Sequence, residues 1–377
     1  MQFFQISGFD REKEILINSV KSNHVSHAQL FFGMEGSPNL ILVLAFVSYL
    51  NCEKKTDKDS CGKCSSCIKI NKMVHPDVHY VFPVAPTTKI NKNVISDYFI
   101  KEWREFILKD PYQNINDWFN YYGFENKSPN ISKDESRSII KKLSLKPFES
   151  KYKIVLIWLP EYLHIYTSNA LLKILEDPPS DTFFFLVTNE SKKLLKTILS
   201  RVQIFKIRRF FDQEIKNELL KEEKIQEKEL KKILLTCAGN LNQAKKIINS
   251  SEDDFLFVFK NWMRNCYTND FSKIQSDLEW FNGQSRVNKK AFFLYSLNLF
   301  RESFIQNINS DLSKIVDDEL EFIQKFSKSL DQNISEKIIL EINESIRFLD
   351  RNANPKIIFL DLSLELVNMF NQVKQIA

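Results

Sequence analysis

Apolar positions in the N-terminal half of the chain alternate between two spacings, one helical and one extended. Residues 12–23 carry them at helical intervals, residues 29–32 form a short apolar run, and residues 41–50 return to a helix-like pattern. After a break the alternation resumes: a helix over 134–143, a strand KIVLIWL over 153–159, a helix NALLKILED over 169–177 and a strand TFFFLVT over 182–188. Strands that are apolar at nearly every position suit a parallel sheet covered on both faces, so this half predicts an α/β domain. The break, residues 84–135, is rich in Asn and aromatic residues (Trp103, Trp118, Tyr121, Tyr122) and holds Pro86, Pro111 and Pro129. It reads as an insertion. Beyond Arg209 strand signals cease, and residues 212–249 and 253–377 repeat Leu, Ile and Phe at helical spacing. Residues 311–346 are acidic on balance, which reads as a solvated face.

Between the first strand and the following helix lies GMEGSPNL, residues 33–40, where a phosphate-binding loop would sit. Such a loop reads G-x-x-x-x-G-K-[ST]: backbone N–H groups cradle the phosphates, the Lys reaches them and the hydroxyl holds Mg²⁺. With Gly33 as the first Gly and Gly36 within the loop, Pro38 stands at the last Gly, Asn39 at the Lys and Leu40 at the hydroxyl. The acidic pair that an ATPase of this architecture needs at a strand end is missing as well. The strand at 153–159 runs instead into Trp158, Leu159, Pro160 and Glu161, and Glu161 reads as a capping or surface residue. The loop keeps the position of a nucleotide site without its chemistry.

Composition narrows the partners. At 377 residues the chain is long enough for two or three domains. Its 53 basic and 48 acidic side chains leave a formal charge of +5, too small for a whole-chain nucleic-acid footprint. Any DNA contact is then local or shared with partners. No apolar run approaches the roughly 20 residues that span a bilayer, and the start MQFFQISGFDREKE lacks the pattern of a signal peptide. The expected location is cytoplasmic, where thiols stay reduced. Four of the six cysteines, Cys52, Cys61, Cys64 and Cys67, therefore point to a metal rather than to disulfides. Their spacing suits a structural Zn²⁺, with Gly62 easing the tight turn; an iron–sulfur cluster is the alternative, but the C-x3-C-P element is absent. His75 is not assigned as a ligand, since four thiolates close such a site.

Arg201, in LSRVQIFKIRRF (residues 199–210), follows a helical segment and precedes a strand-like run, an element end at which a guanidinium could stand exposed.

HAQLFFGMEG (27–36), the four cysteines, HPDV (75–78), NALLKILEDPPSDTFFFLVT (169–188) and LSR (199–201) together resemble the AAA+ clamp loader subunits of bacterial DNA polymerase III, the family of gamma/tau and delta prime. GNLNQAKK (239–246) is similar to the end of that family's helical lid. The resemblance implies a RecA-like α/β domain over 1–208 with a zinc module at 52–67 and the insertion at 84–135, a helical lid over 209–250, and an all-α collar over 251–377. The altered loop and strand end imply the delta prime type: not an enzyme by itself, but a subunit of the DNA polymerase holoenzyme. Its implied partners are gamma/tau and delta subunits, the sliding clamp and primer-template DNA. In the family's Ser-Arg-Cys motif the Arg serves as a finger in a neighbour's ATP site. Here Ser200 and Arg201 match and Val202 replaces the Cys, so the role carries to Arg201 alone. Two alternatives remain at this point. A gamma/tau-type ATPase is disfavoured by Asn39 and by the lack of a tau-like extension. A free-standing zinc-dependent DNA-binding or repair protein would need a basic face.

Overall fold

Five parallel strands form one sheet: β1 (Ala28–Gly33), β2 (Val78–Val81), β3 (Lys153–Trp158), β4 (Thr182–Thr188) and β5 (Gln203–Ile207), in the order β2-β3-β4-β1-β5. This computed structural model describes residues 1–88, 90–124, 127–221, 225–248, 255–308, 323, 332–351 and 353–376. Leu30 of β1 pairs with Leu186 of β4 on one side and with Ile204 of β5 on the other. Every residue of β3 is buried and so is all of β4 except Phe183, which is why those strands read as unbroken apolar runs. The sequence reading missed β2, a four-residue edge strand too short for a periodic signal.

Helices cover the sheet: α1 (Asp10–Lys21), α2 (Asn39–Asn51), α3 (Ser65–Asn71), α4 (Ile100–Lys109), α5 (Ile115–Tyr122), α6 (Lys133–Leu143), α7 (Ile165–Glu176), α8 (Lys196–Leu199) and α9 (Asp212–Leu219). All thirteen residues of α2 are buried, its polar ends included. Helix α7 begins four residues earlier than its apolar spacing predicts. His164 takes the N-cap, its ring accepting from the Tyr166 N–H at 3.3 Å, and so starts the helix ahead of the apolar face. Strand β3 ends where Leu159 adopts a left-handed backbone (φ 58°), a turn that precedes Pro160.

The insertion leaves and re-enters the fold at one neck. Val84 N donates to Asn130 O at 2.9 Å, and Asn130 N donates back to Val84 O at 3.2 Å. Its aromatic residues pack onto the β2 edge of the sheet: Trp103 stacks on Phe82 at 4.4 Å and lies against Tyr80 and Trp158, and Trp118 Nε1 donates to Pro83 O at 2.9 Å.

The chain divides into two compact units, Met1–Lys224 with Gly239–Asn242, and Ile225–Ala238 with Gln243–Ala377. The described residues of the second are helical: α10 (Glu227–Cys237), most of α11 (Leu241–Ile248), α12 (Phe255–Thr268), α13 (Phe271–Gly283), α14 (Arg286–Ile308), α15 (Gln332–Asp350) and α16 (Pro355–Ile376). Phe281, Phe293 and Phe359 stack at its centre beside Trp262, whose Nε1 donates to Ser363 Oγ at 2.9 Å. The boundary expected at 250/251 and most of the acidic stretch 311–346 lie outside the described residues. Among the described residues no helix is long and apolar enough to cross a membrane.

Candidate functional site

In an open α/β sheet, ligands sit in the crevice beyond the carboxyl ends of the strands. Here that place belongs to the 33–40 loop, which joins the end of β1 to the start of α2. Gly33 is required by packing, because a Cβ on it would come within 2.8 Å of Ile207 O. Gly36 is required by its backbone, at φ +76°. Asn39, where a P-loop carries its Lys, is 3% exposed and turned inward. Its Nδ2 donates to Gly33 O at 2.7 Å and to Asn189 Oδ1 at 3.0 Å. Both donors are thus spent inside the protein, and Oδ1, buried without a hydrogen-bond partner, is an acceptor, the wrong polarity for a phosphate. Leu40 is buried in the core and Pro38 stands at the N-cap of α2 with no side-chain hydrogen bond.

The strand ends beside the loop are acidic. Glu161 accepts from Thr188 Oγ1 at 2.8 Å, and burial pushes its carboxyl up to about 7, with the Glu190 charge adding to the rise. Half-buried and held by Thr188, it is not a freely solvated surface charge. The Tyr162 phenol is pushed up to about 12 by burial and then by Glu161, Glu190 and Glu35.

The cysteines assemble at a different place. Cys52 follows the last residue of α2, Cys64 caps α3 and Cys67 lies within it. The four Sγ atoms lie within 4.8 Å of one another, with Cys61 and Cys67 at 4.0 Å. A tetrahedral ion with metal–sulfur bonds of about 2.3 Å sets its sulfurs roughly 3.8 Å apart, so the cluster fits one metal ion with little movement. Gly62 turns the chain at φ +69°. The Lys63 and Cys64 N–H groups hold the Cys61 thiol down at about 6, ready to ligate as thiolate, while burial pushes Cys67 up to about 12. His75 is buried away from the cluster, its Nδ1 accepting from Asp77 N at 3.2 Å and its Nε2 3.6 Å from Glu149.

Residues 10–211, more than half of the chain, match the protein family described as DNA polymerase III, delta subunit. The chain belongs to that family. The resemblance read from the sequence motifs is a true kinship with the DNA polymerase III clamp loader subunits. Among family relatives, the delta' subunit of DNA polymerase III from Bacillus subtilis is 23% identical over 242 residues, 64% of this chain and 60% of that protein. The tau subunit from the same organism is 25% identical over 255 residues, 66% of this chain and 38% of its own length. The Escherichia coli delta' subunit is 26% identical over 191 residues, 51% of this chain and 45% of its own. The chain thus spans less than two thirds of these relatives, and it is about equally similar to both subunit types.

Within this family fold, Arg201 lies between α8 and β5, at the sheet edge where β5 begins. The 33–40 loop lies at the opposite, carboxyl end of the strands, where β1 ends beside β5, and the length of a five-residue strand separates the two by about 17 Å. Its guanidinium is not free as expected at an element end. Nε donates to Glu176 Oε1 at 2.7 Å, Nη2 donates to the same oxygen, and Nη1 donates to Thr197 O at 2.9 Å. Val202, in the place of the family's Cys, is buried. The fold gathers Gly33, Gly36, Pro38, Asn39 and Leu40 with Thr188, Asn189 and Glu161, and keeps the four cysteines and Arg201 apart from them. Thr188 and Asn189 were missed by the sequence reading. Their one signal is their position at the end of an apolar strand.

Proposed function

We propose that this chain is the non-catalytic, delta prime-type subunit of the clamp loader, helping to place the sliding clamp on primed DNA in company with gamma/tau and delta subunits. The observation that carries this reading over a gamma/tau-type ATPase is Asn39, whose donors are turned onto Gly33 and Asn189 where an ATPase needs a phosphate-facing ammonium. Identity does not separate the two subunit types; the loop's chemistry favours the delta prime type. The four cysteines hold a structural Zn²⁺, and no step depends on it beyond fastening that module. Arg201 acts in trans on a neighbour's ATP. Its distance from its own loop supports this, and Glu176 is the partner that the guanidinium exchanges for phosphate. Residues 209–250 serve as the lid and 251–377 as the collar joining the ring, in the cytoplasm. The near balance of charge favours DNA contact through the assembled ring over a free-standing DNA-binding role.

The test has two arms. Calorimetry and phosphate release on the purified chain should give neither tight ATP binding nor turnover, and a pull-down from cell extract should bring the polymerase subunits. Turnover that persists through purification and vanishes on a point change in the 33–40 loop would overturn the non-catalytic assignment.

A further inference from the structure

The insertion, which the clamp-loader reading leaves without a role, reaches the altered loop. From the neck at Val84 and Asn130 its chain runs out through α4 and comes back along α5, whose N-terminus lies against residues 33–40. Asn114, the N-cap of α5, is 8% exposed and donates from Nδ2 to Glu35 Oε1 at 2.8 Å. Three residues on, Asp117 Oδ2 accepts from Asn242 Nδ2 at 2.9 Å, and Asn242 is 2% exposed. The same two insertion residues bind each other: Asp117 N donates to Asn114 Oδ1 at 2.9 Å and Asn114 N to Asp117 Oδ2 at 3.0 Å. This reciprocal cap fixes both side chains, so neither needs ordering when it engages its outer partner. Tyr112 adds an edge-on contact with Phe210 at 5.8 Å.

Opposite the insertion, the segment Gly239–Asn242 closes on the same loop. Leu241 N donates to Gly36 O at 3.2 Å, and a Cβ on Gly36 would lie 1.9 Å from Asn240 Oδ1. Three pieces of chain far apart in sequence therefore meet at the carboxyl ends of the strands, the place where an open α/β sheet receives a ligand. Both outer bonds join an amide to a carboxylate at half-buried sites, where such bonds are stronger than neutral surface ones.

We propose that the insertion is an intramolecular latch: α5, through Asn114 and Asp117, pins Gly239–Asn242 onto the 33–40 loop and closes the crevice with the chain's own residues. The chain then holds one arrangement of loop and segment whatever the nucleotide concentration. Its conformation is set by the fold instead of by a ligand.

Hydrogen exchange of the full chain tests the latch, with the Leu241 and Ser37 amides as reporters, since these bond to Gly36 O and Met34 O. Asn114→Ala removes the bond to Glu35 from the insertion side. Asn242→Ala removes the bond to Asp117 from the far side and leaves the insertion's own cap intact, so it reads the latch even if Asn114→Ala disturbs the fold of α5. Each lost bond to a carboxylate should speed exchange at the reporters by roughly tenfold or more while β1 and β4 amides stay protected. Tyr98→Ala, at an exposed insertion position, should change neither. Reporter amides exchanging at the parental rate in both Asn variants, or acceleration confined to the insertion itself, would overturn the proposal. Neither result depends on whether the chain assembles into a clamp loader.

Discussion

The inward-turned Asn39 can be probed with two substitutions, one that removes the amide and one that keeps its shape but reverses its polarity. Asn39→Ala loses the bonds to Gly33 O and Asn189 Oδ1, about 2 kcal/mol together. It also deletes the partnerless Oδ1, which offsets about 1 kcal/mol of that loss, so the net cost is about 1 kcal/mol. Asn39→Asp keeps the shape but replaces the donor with an acceptor. Asn189 can turn its own amide to meet the new oxygen. Gly33 O is backbone and cannot, so it faces a like-signed atom at 3% exposure. With a charge buried as well, the Asp variant should lose at least about 2 kcal/mol more than the Ala variant at pH 8. Burial raises the folded-state pKa of the new carboxyl above its unfolded value of about 3.9, so the extra loss is small below that value and grows as pH rises until the folded pKa is passed. Urea unfolding followed by tryptophan fluorescence, to which Trp103, Trp118 and Trp158 contribute from the α/β unit, measures both at pH 5.5 and pH 8. An Asp variant no less stable than Ala at pH 8 would show that Asn39 does not donate to Gly33, and the case for a loop built against phosphate would fall with it.

Arg201→Ala should leave folding and ring assembly intact and lower the clamp-stimulated ATPase of the reconstituted complex only in part, since one finger among several sites is lost. Arg201→Lys should rescue poorly for want of the planar fork, and parental clamp loading by the Ala variant would remove the trans role. Cys64→Ser should abolish the roughly one Zn²⁺ per chain expected by elemental analysis. It should also loosen the N-terminal residues, because Phe3 N and Phe4 N donate to Asp59 and Gln2 Nε2 to Ser60 O within the cysteine module; iron with acid-labile sulfide would contradict the zinc assignment. Glu135 is fully buried, and burial pushes its carboxyl up to about 7 while Ser96 N and Oγ donate to Oε2. A raised folded pKa means stability is lost as pH climbs from the unfolded value near 4.5 to about 7. Glu135→Gln should therefore gain on the parent across that window by at most about 3 kcal/mol, and parallel stability curves would refute the assignment.

Local sequence determined much of this protein. The apolar runs at 153–159 and 182–188 became β3 and β4 because a strand covered on both faces tolerates no polar position, and that constraint shows in every residue. The cysteine cluster was legible because its four thiols lie within sixteen positions, close enough for spacing to dictate geometry. The missing Lys, hydroxyl and acids could be named from the residues that stand in their places. Tertiary structure alone decided where the substitutes point. That Asn39 turns onto Asn189, 150 positions away, and that Glu161 sits against Thr188, follows from parallel strands ending side by side. No periodicity records which strand ends are neighbours. The link of Glu35, Asn114, Asp117 and Asn242 lies further still from sequence reading, since hydrogen bonds between polar side chains leave no repeating pattern and form only when the folded chain brings their distant segments to one crevice.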